Sequence, residues 1–377
     1  MRLRAGSPGV ERIFDRHRLH NRRSCQPLNI ALIAHLKYPI AQPYSGGLEM
    51  HTHLLARKLV ERGHKVTLFA SRGSDEAGWN LVTVCSPTAS LAGLDEAREE
   101  GRAYEAIVAA IAADPFDVVH NNCLHSLPLT AAARLPPMMT VLHTPPFLPL
   151  ADGVKRAAGA RLVAVSPTVA RQWNEHAAVT DIVMNGVELD MFAPSATRAR
   201  PPRAIWYGRI VPEKGLHLAL EAARLAKLEL DVAGPIIDRD YWVQEIAPRC
   251  TSGVTYLGHL DHATLRWHIA RASVALITPR WEEPFGLVAA EALACGTPVA
   301  AFRRGALPDV VGDAGILALP DNVHDLARAA RQALTIDAAL CRRRAETALG
   351  CDAMIAHYEA IYGELCNPAP AISAAAG

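Results

Sequence analysis

Aromatic residues are sparse, only 6% of the 377. No apolar run approaches the roughly 18 residues that a membrane-spanning helix needs. Charge of one sign is missing as well. The formal net charge is +1, so no overall basic field points to a nucleic-acid partner. The eight cysteines are scattered and never form C-x-x-C, so neither a disulfide framework nor a zinc site is indicated. Reduced thiols in a cytoplasmic protein are the expectation. G-x-G-x-x-G is absent, so a nicotinamide enzyme loses support. No His/Asp/Glu set has metal-ligand spacing, and no Ser/His/Asp or Cys/His nucleophile set is visible. Neither a metal nor a bound cofactor is expected.

Residues 1–27 stand apart from the rest. Seven arginines (Arg2, Arg4, Arg12, Arg16, Arg18, Arg22 and Arg23) face only Glu11 and Asp15, with no apolar stretch among them. This is not a secretory signal. It reads as a disordered extension, too poor in apolar residues to hold to a core. A basic arm touching anionic lipid or a partner is the functional alternative, and the one route to membrane contact.

What is present is a balance of half apolar and one fifth charged residues, in a chain long enough for two domains. Short apolar runs at 28–35, 65–70, 81–85, 117–120, 140–143 and 161–165 read as strands, with helix or loop between them. They are continuous rather than alternating, which is the pattern of a parallel sheet covered on both faces. A helix is expected over 48–62, with Leu54, Leu55, Leu59 and Val60 at helical spacing and Gly63 stopping it. A second series of strands follows at 204–207, 228–233, 254–257, 274–277, 298–302 and 316–319. Helices are expected at 216–226, 241–246, 264–272 and 287–294. The proline-bearing stretch 191–203 reads as the connection and the hinge. The expected fold is α/β, two Rossmann-like domains facing across a cleft. Residues 28–190 form the first domain and 191–351 the second, and a last helix at 352–366 is a candidate to pack back on the first. A ligand belongs at the carboxyl ends of both sheets.

Four segments carry chemistry. Ser45-Gly46-Gly47 opens the first helix, where backbone N–H groups can approach a phosphate; a glycine pair before a helix is also commonly just a tight turn. Tyr207-Gly208-Arg209 ends a strand, and Lys214 opens the next helix after Val211-Pro212-Glu213. Two cations converging there would stabilise a leaving diphosphate. Glu282-Glu283-Pro284-Phe285-Gly286-Leu287 sets another helix start, aiming the N–H groups of Phe285, Gly286 and Leu287 at phosphate oxygens. Glu291 lies about a turn further in, where a carboxylate can accept both hydroxyls of a ribose. His143-Thr144-Pro145 ends a first-domain strand, so His143 can hydrogen-bond a sugar or stabilise charge near it. His51, His53 and His120 read as structural, with His120 also a candidate on the acceptor side.

With these segments assembled, the chain resembles glycosyltransferase family 4, retaining GT-B enzymes that use nucleotide sugars. The resemblance runs from residue 28 to about 365 through SGGLEMHTHLLARKLVERGHKVTLFA, HTP, SPTVA, NGVELDMF, YGRIVPEKG, YLGHL and EPFGLVAAEALACGTPVA, in family order. It implies that Arg209 and Lys214 bind the donor diphosphate and that Gly46 and Gly47 approach it from the other domain. It implies that Glu291 holds the ribose, while Glu283 and the backbone of Phe285, Gly286 and Leu287 contact sugar and phosphates. His143 would touch the donor sugar, and Gly258, His259 and Leu260 would lie by the base. No metal is implied. Retention is implied too. The first-domain motifs show no convincing carboxylate for a covalent intermediate, so front-face attack is the expected mechanism, with a far-side nucleophile outside those motifs as the alternative.

The partners expected are therefore a nucleotide-sugar donor and an acceptor that the sequence leaves unidentified, soluble or linked to a glycan or lipid. Loops 37–45, 71–79 and 123–127 are the expected acceptor readers. Two alternatives stand beside the transferase: an epimerase of GT-B shape acting on a nucleotide sugar, and a non-catalytic sugar-nucleotide binder. Nothing in the pattern fixes an oligomeric state.

Overall fold

The computed structural model describes residues 26–368 apart from 158, 196 and 198. The arginine-rich arm, residues 1–25, lies outside the described residues.

Seven strands build the first sheet: β1 (Asn29–Ile33), β2 (Lys65–Ser71), β3 (Asn80–Cys85), β4 (Val118–Asn121), β5 (Met138–Leu142), β6 (Arg161–Ala164) and β7 (Asp181–Ile182). Their order is β3-β2-β1-β4-β5-β6-β7, and every pairing is parallel. Ile30, Leu32, Ile33, Val118, Val119, Met139 and Leu142 are fully buried, which is why these runs are apolar on both faces. The second sheet holds β8 (Arg203–Tyr207), β9 (Glu229–Ala233), β10 (Val254–Tyr256), β11 (Val274–Ile277), β12 (Val299–Phe302) and β13 (Gly315–Ala318), in the order β10-β9-β8-β11-β12-β13. It too is parallel throughout.

Each sheet reverses its order at its first strand, between β1 and β4 and between β8 and β11. Loops leaving those strands diverge to opposite faces and open a crevice at the carboxyl ends. The two crevices share one cleft. This is the GT-B architecture expected from the sequence.

Differences from the expected elements have local causes. β5 begins at Met138 rather than 140, because pairing with β4 and β6 on both sides overrides the helical leaning of the two methionines. β7 is two residues long, too short for any periodicity to show. The 241–246 region is a turn of α-helix, Arg239–Tyr241, running into a π-helical turn, Trp242–Ile246. Gly93–Ala113, the 21-residue helix between β3 and β4, buries Ala103, Tyr104, Ile107 and Ile111 on one face.

Two chain passages cross between the sheets, side by side. Val187 N donates to Leu349 O at 2.8 Å, and Cys351 N donates to Val187 O at 3.0 Å. The stretch 191–203 is therefore only part of the connection. The helix Cys351–Cys366 then lies against the first sheet, burying Met354, Ile355, Tyr358, Ile361 and Tyr362. Each such apolar side chain is worth about 1.5–3 kcal/mol when removed from water. Polar pairs fix its register: Arg62 Nη1 to Glu359 Oε2 at 2.9 Å, and Arg161 Nη1 to Glu364 Oε2 at 2.5 Å.

Candidate functional site

The cleft between the domains encloses about 520 Å³. Gly46 caps the helix Gly47–Glu61 from an extended conformation and directs the helix start at the cleft. From the other side comes the helix Leu287–Ala294, preceded by Gly286 at φ +92°, a left-handed conformation that glycine adopts without penalty. The two helix starts meet: a Cβ on Gly47 would lie 2.9 Å from Leu287 Cδ1. Two helix starts, each with a favourable dipole end, thus line one cleft.

Arg209 and Lys214 line the same volume. Their loop is tied to the one after β11: Arg280 N donates to Glu213 O at 2.8 Å, and Thr278 Oγ1 donates to Lys214 O at 2.9 Å. Lys214 Nζ pairs with Glu283 Oε2 at 2.7 Å, and Trp281 Nε1 donates to the same oxygen at 3.2 Å. Among the described residues Arg209 has no ion pair, so its guanidinium remains available to the cleft.

Glu291 is 5% exposed at the cleft wall. Burial pushes its carboxyl up to about 8, only partly offset by the hydroxyl of Tyr207 nearby. His143 is 9% exposed, and Nε2 of its ring is 2.9 Å from Asn122 Oδ1. Burial, with His51, His120 and His35 around it, holds its pKa well below the usual value. That shift favours the neutral ring, which can still hydrogen-bond a sugar at the cleft wall.

The cleft gathers Gly46, Gly47, His143, Arg209, Lys214, His259, Leu260, Glu283, Phe285, Gly286, Leu287 and Glu291. Gly258 is not part of its lining; it stands behind, with Gly234 N donating to its carbonyl at 2.8 Å. Of the three expected acceptor loops, 37–45 reaches the cleft through Lys37, Tyr38, Gln42, Pro43 and Tyr44, and 123–127 through Leu124. Loop 71–79 does not. It folds back on its own domain, with Asp75 N bonded to Ile40 O and Trp79 buried with its Nε1 on Asp75 O at 2.8 Å.

Several cleft residues escaped the sequence reading, Glu49 and His51 among them. Glu49 is a 5% exposed carboxyl on the first-domain wall, where no such group was expected. Burial raises its pKa, while its own backbone N–H and the Arg209 charge act the other way. Its place in the first turn after Gly46-Gly47 was the available sign, since that turn points at the ligand. His51 also lines the cleft, its ring edge-on to His143 at 4.9 Å between centroids, rather than serving only as core.

Among the described residues, no group of three or more His, Cys, Asp or Glu side chains is arranged to hold a metal ion. No helix among them is long and apolar enough to cross a membrane.

Residues 45–191 match the family described as Glycosyltransferase Family 4, and residues 189–349 match Glycosyl transferases group 1. Glycogen synthase of Mycobacterium tuberculosis is 35% identical over 177 residues, 44% of this chain. That match spans 42% of the synthase's own length, so less than half of that relative is compared. D-inositol 3-phosphate glycosyltransferase of Gordonia bronchialis is 30% identical over 372 residues, covering 82% of this chain and 81% of the relative. Among solved structures, Anabaena HepE in complex with UDP-glucose superimposes with a TM-score of 0.70 at 16% identity, over 89% of this chain and 100% of the other. At that identity the likeness speaks for the fold alone.

Proposed function

The chain belongs to glycosyltransferase family 4, and from that premise we propose that it is a retaining enzyme moving a sugar from a nucleoside diphosphate to an acceptor hydroxyl. One observation carries the reading: two helix starts, Arg209 and Lys214 converge on a single cleft volume, which is what a diphosphate requires. In this reading Arg209, Lys214 and the N–H groups after Gly46 and Phe285 bind the diphosphate. Glu291 holds the ribose, Glu283 meets the sugar, and His259 and Leu260 lie by the base. UDP-glucose in the Anabaena neighbour makes a uridine donor the first to test.

The bond between the anomeric carbon and the diphosphate oxygen breaks as the acceptor oxygen attacks from the same face. The departing diphosphate oxygen takes the acceptor proton. Charge that builds on the diphosphate meets fixed cations and dipoles that need no reorganisation. This route uses no metal and no covalent intermediate. Glu49, the one first-domain carboxyl in the lining, is pushed by burial toward its neutral form, the opposite of what a nucleophile needs. The cytoplasm is the proposed location, in keeping with buried thiols at Cys85, Cys123, Cys295 and Cys351 that form no disulfide.

Thermal-shift binding of UDP, GDP, ADP and dTDP and their common sugars, on wild type and Glu291→Ala, tests the reading. A shift with one nucleotide that vanishes in the variant is the expected result. No shift with any of them would overturn the donor site.

A further inference from the structure

His143 is oriented by a chain of polar groups that begins at the far end of the sequence. The hydroxyl of Tyr362, on the C-terminal helix, lies 2.5 Å from Nδ1 of His120. Nε2 of His120 is 3.0 Å from Asn122 Oδ1, and the same oxygen is 2.9 Å from Nε2 of His143. The amide nitrogen of Asn122 points the other way, 3.4 Å from Thr52 Oγ1. Tyr362, His120 and Asn122 are fully buried.

Donor and acceptor counting settles the protons. A carboxamide oxygen only accepts, so both imidazoles donate to it through Nε2–H. A neutral imidazole carries one N–H, which leaves each Nδ1 as a lone pair. On His120 that lone pair accepts the Tyr362 hydroxyl. On His143 it is the nitrogen left over, on a ring that lines the cleft. The His51 ring packs edge-on against the His143 ring at 4.9 Å between centroids. Burial keeps both rings neutral, with His120 lowered to about 3.

We infer that Asn122 is a positioning residue that fixes His143 as the Nε2–H tautomer with Nδ1 offered to the cleft, and that Tyr362 holds this arrangement through His120. Its meaning for catalysis rests on the transferase reading: His143 then accepts a hydrogen bond from a substrate hydroxyl and donates none. The tautomer itself is independent of that reading. The C-terminal helix becomes part of the site although it reaches no cleft surface.

The test is the imidazole nitrogen spectrum of the full chain labelled with 15N-histidine, with His120 and His143 assigned through their Gln variants. The wild type is expected to show protonated Nε2 and bare Nδ1 in both rings. Protonated Nδ1 at His143 would mean the Asn122 amide is turned over, and the inference falls. Asn122→Leu should release His143 into a mixture of tautomers, whereas Asn122→Asp, which still accepts, should retain Nε2–H. Tyr362→Phe should move the His120 Nδ1 resonance and, through Asn122, that of His143; an unmoved His143 signal refutes the Tyr362 link. If the Leu variant does not fold, the wild-type and Asp spectra decide alone. UDP-glucose binding to the wild type is measured in parallel, since its absence would undo the transferase reading without touching the tautomer result.

Discussion

Lys214 Nζ and Glu283 Oε2 are 2.7 Å apart, joining the loop after β8 to the loop after β11 across the point where the second sheet reverses its order. Trp281 reinforces the pair from two directions. Its Nε1 donates to the same carboxylate oxygen, and its ring lies 5.2 Å from the Lys214 ammonium. The lysine is thus aimed before any ligand meets it, and little ordering remains to be done.

Lys214→Ala should lower turnover by about a hundredfold or more, the usual cost of removing a group that stabilises a developing charge. The side chain is 24% exposed and outside the core, so the melting temperature should change little. Rates of sugar release from UDP-glucose check this, and wild-type turnover would remove Lys214 from the mechanism.

Glu291 predicts a pH-dependent stability. Its folded pKa of about 8 is above the ordinary carboxyl value of 4.5, so the folded state holds a proton that the unfolded chain releases earlier. The contribution is full below about pH 4.5 and is lost as pH rises through 8. Glu291→Gln keeps the shape without the titration. The wild type should therefore melt progressively lower than the variant between pH 5 and pH 8, and parallel curves would refute the assignment.

Gly47→Ala places a methyl group 2.9 Å from the tip of Leu287, a side chain that can give way. Folding should be nearly unaffected, while the methyl takes space where the backbone is meant to approach a phosphate. Weaker binding of UDP by about tenfold, or about 1.4 kcal/mol, is the expected isothermal-titration result. Unchanged affinity would place the diphosphate elsewhere.

Gly186→Ala tests the paired crossing. A Cβ there would fall 2.3 Å from Cys351 Cα, and backbone on backbone cannot relax as a side chain can. A loss of about 1–3 kcal/mol in chemical denaturation is expected. Earlier proteolysis of the helix Cys351–Cys366 should accompany it, because Gly186 stands where that helix begins.

Most of the fold was legible because it repeats one physical instruction. Strands such as 28–35 and 274–277 must be apolar on both faces, and the helices between them carry a period of their own. Arg209, Lys214 and Glu283 were legible because each sits where a strand ends or a helix starts, a position with chemical meaning in any parallel sheet, and Glu291 because it follows such a start by about a turn. Glu49 and His51 were not. A glutamate in the first turn of a helix is commonplace, and only the facing Arg209 and the burial of both first-domain residues give them a part in the cleft. Loop 71–79 was expected as an acceptor reader, but Trp79 found a core to fill and took the loop with it.

The sequence by itself determined the two series of parallel strands, the family motifs and the placing of Arg209 and Lys214 just after a strand, since all of these follow from order along the chain. The tertiary structure alone decided what depends on distance across it. It set the contact of Gly47 with Leu287, the return of the C-terminal helix to the first sheet, and the link from Tyr362 through His120 and Asn122 to His143. His120 and Tyr362 are separated by 242 residues, and no local pattern can announce that their polar atoms will share a hydrogen bond once water is excluded around them.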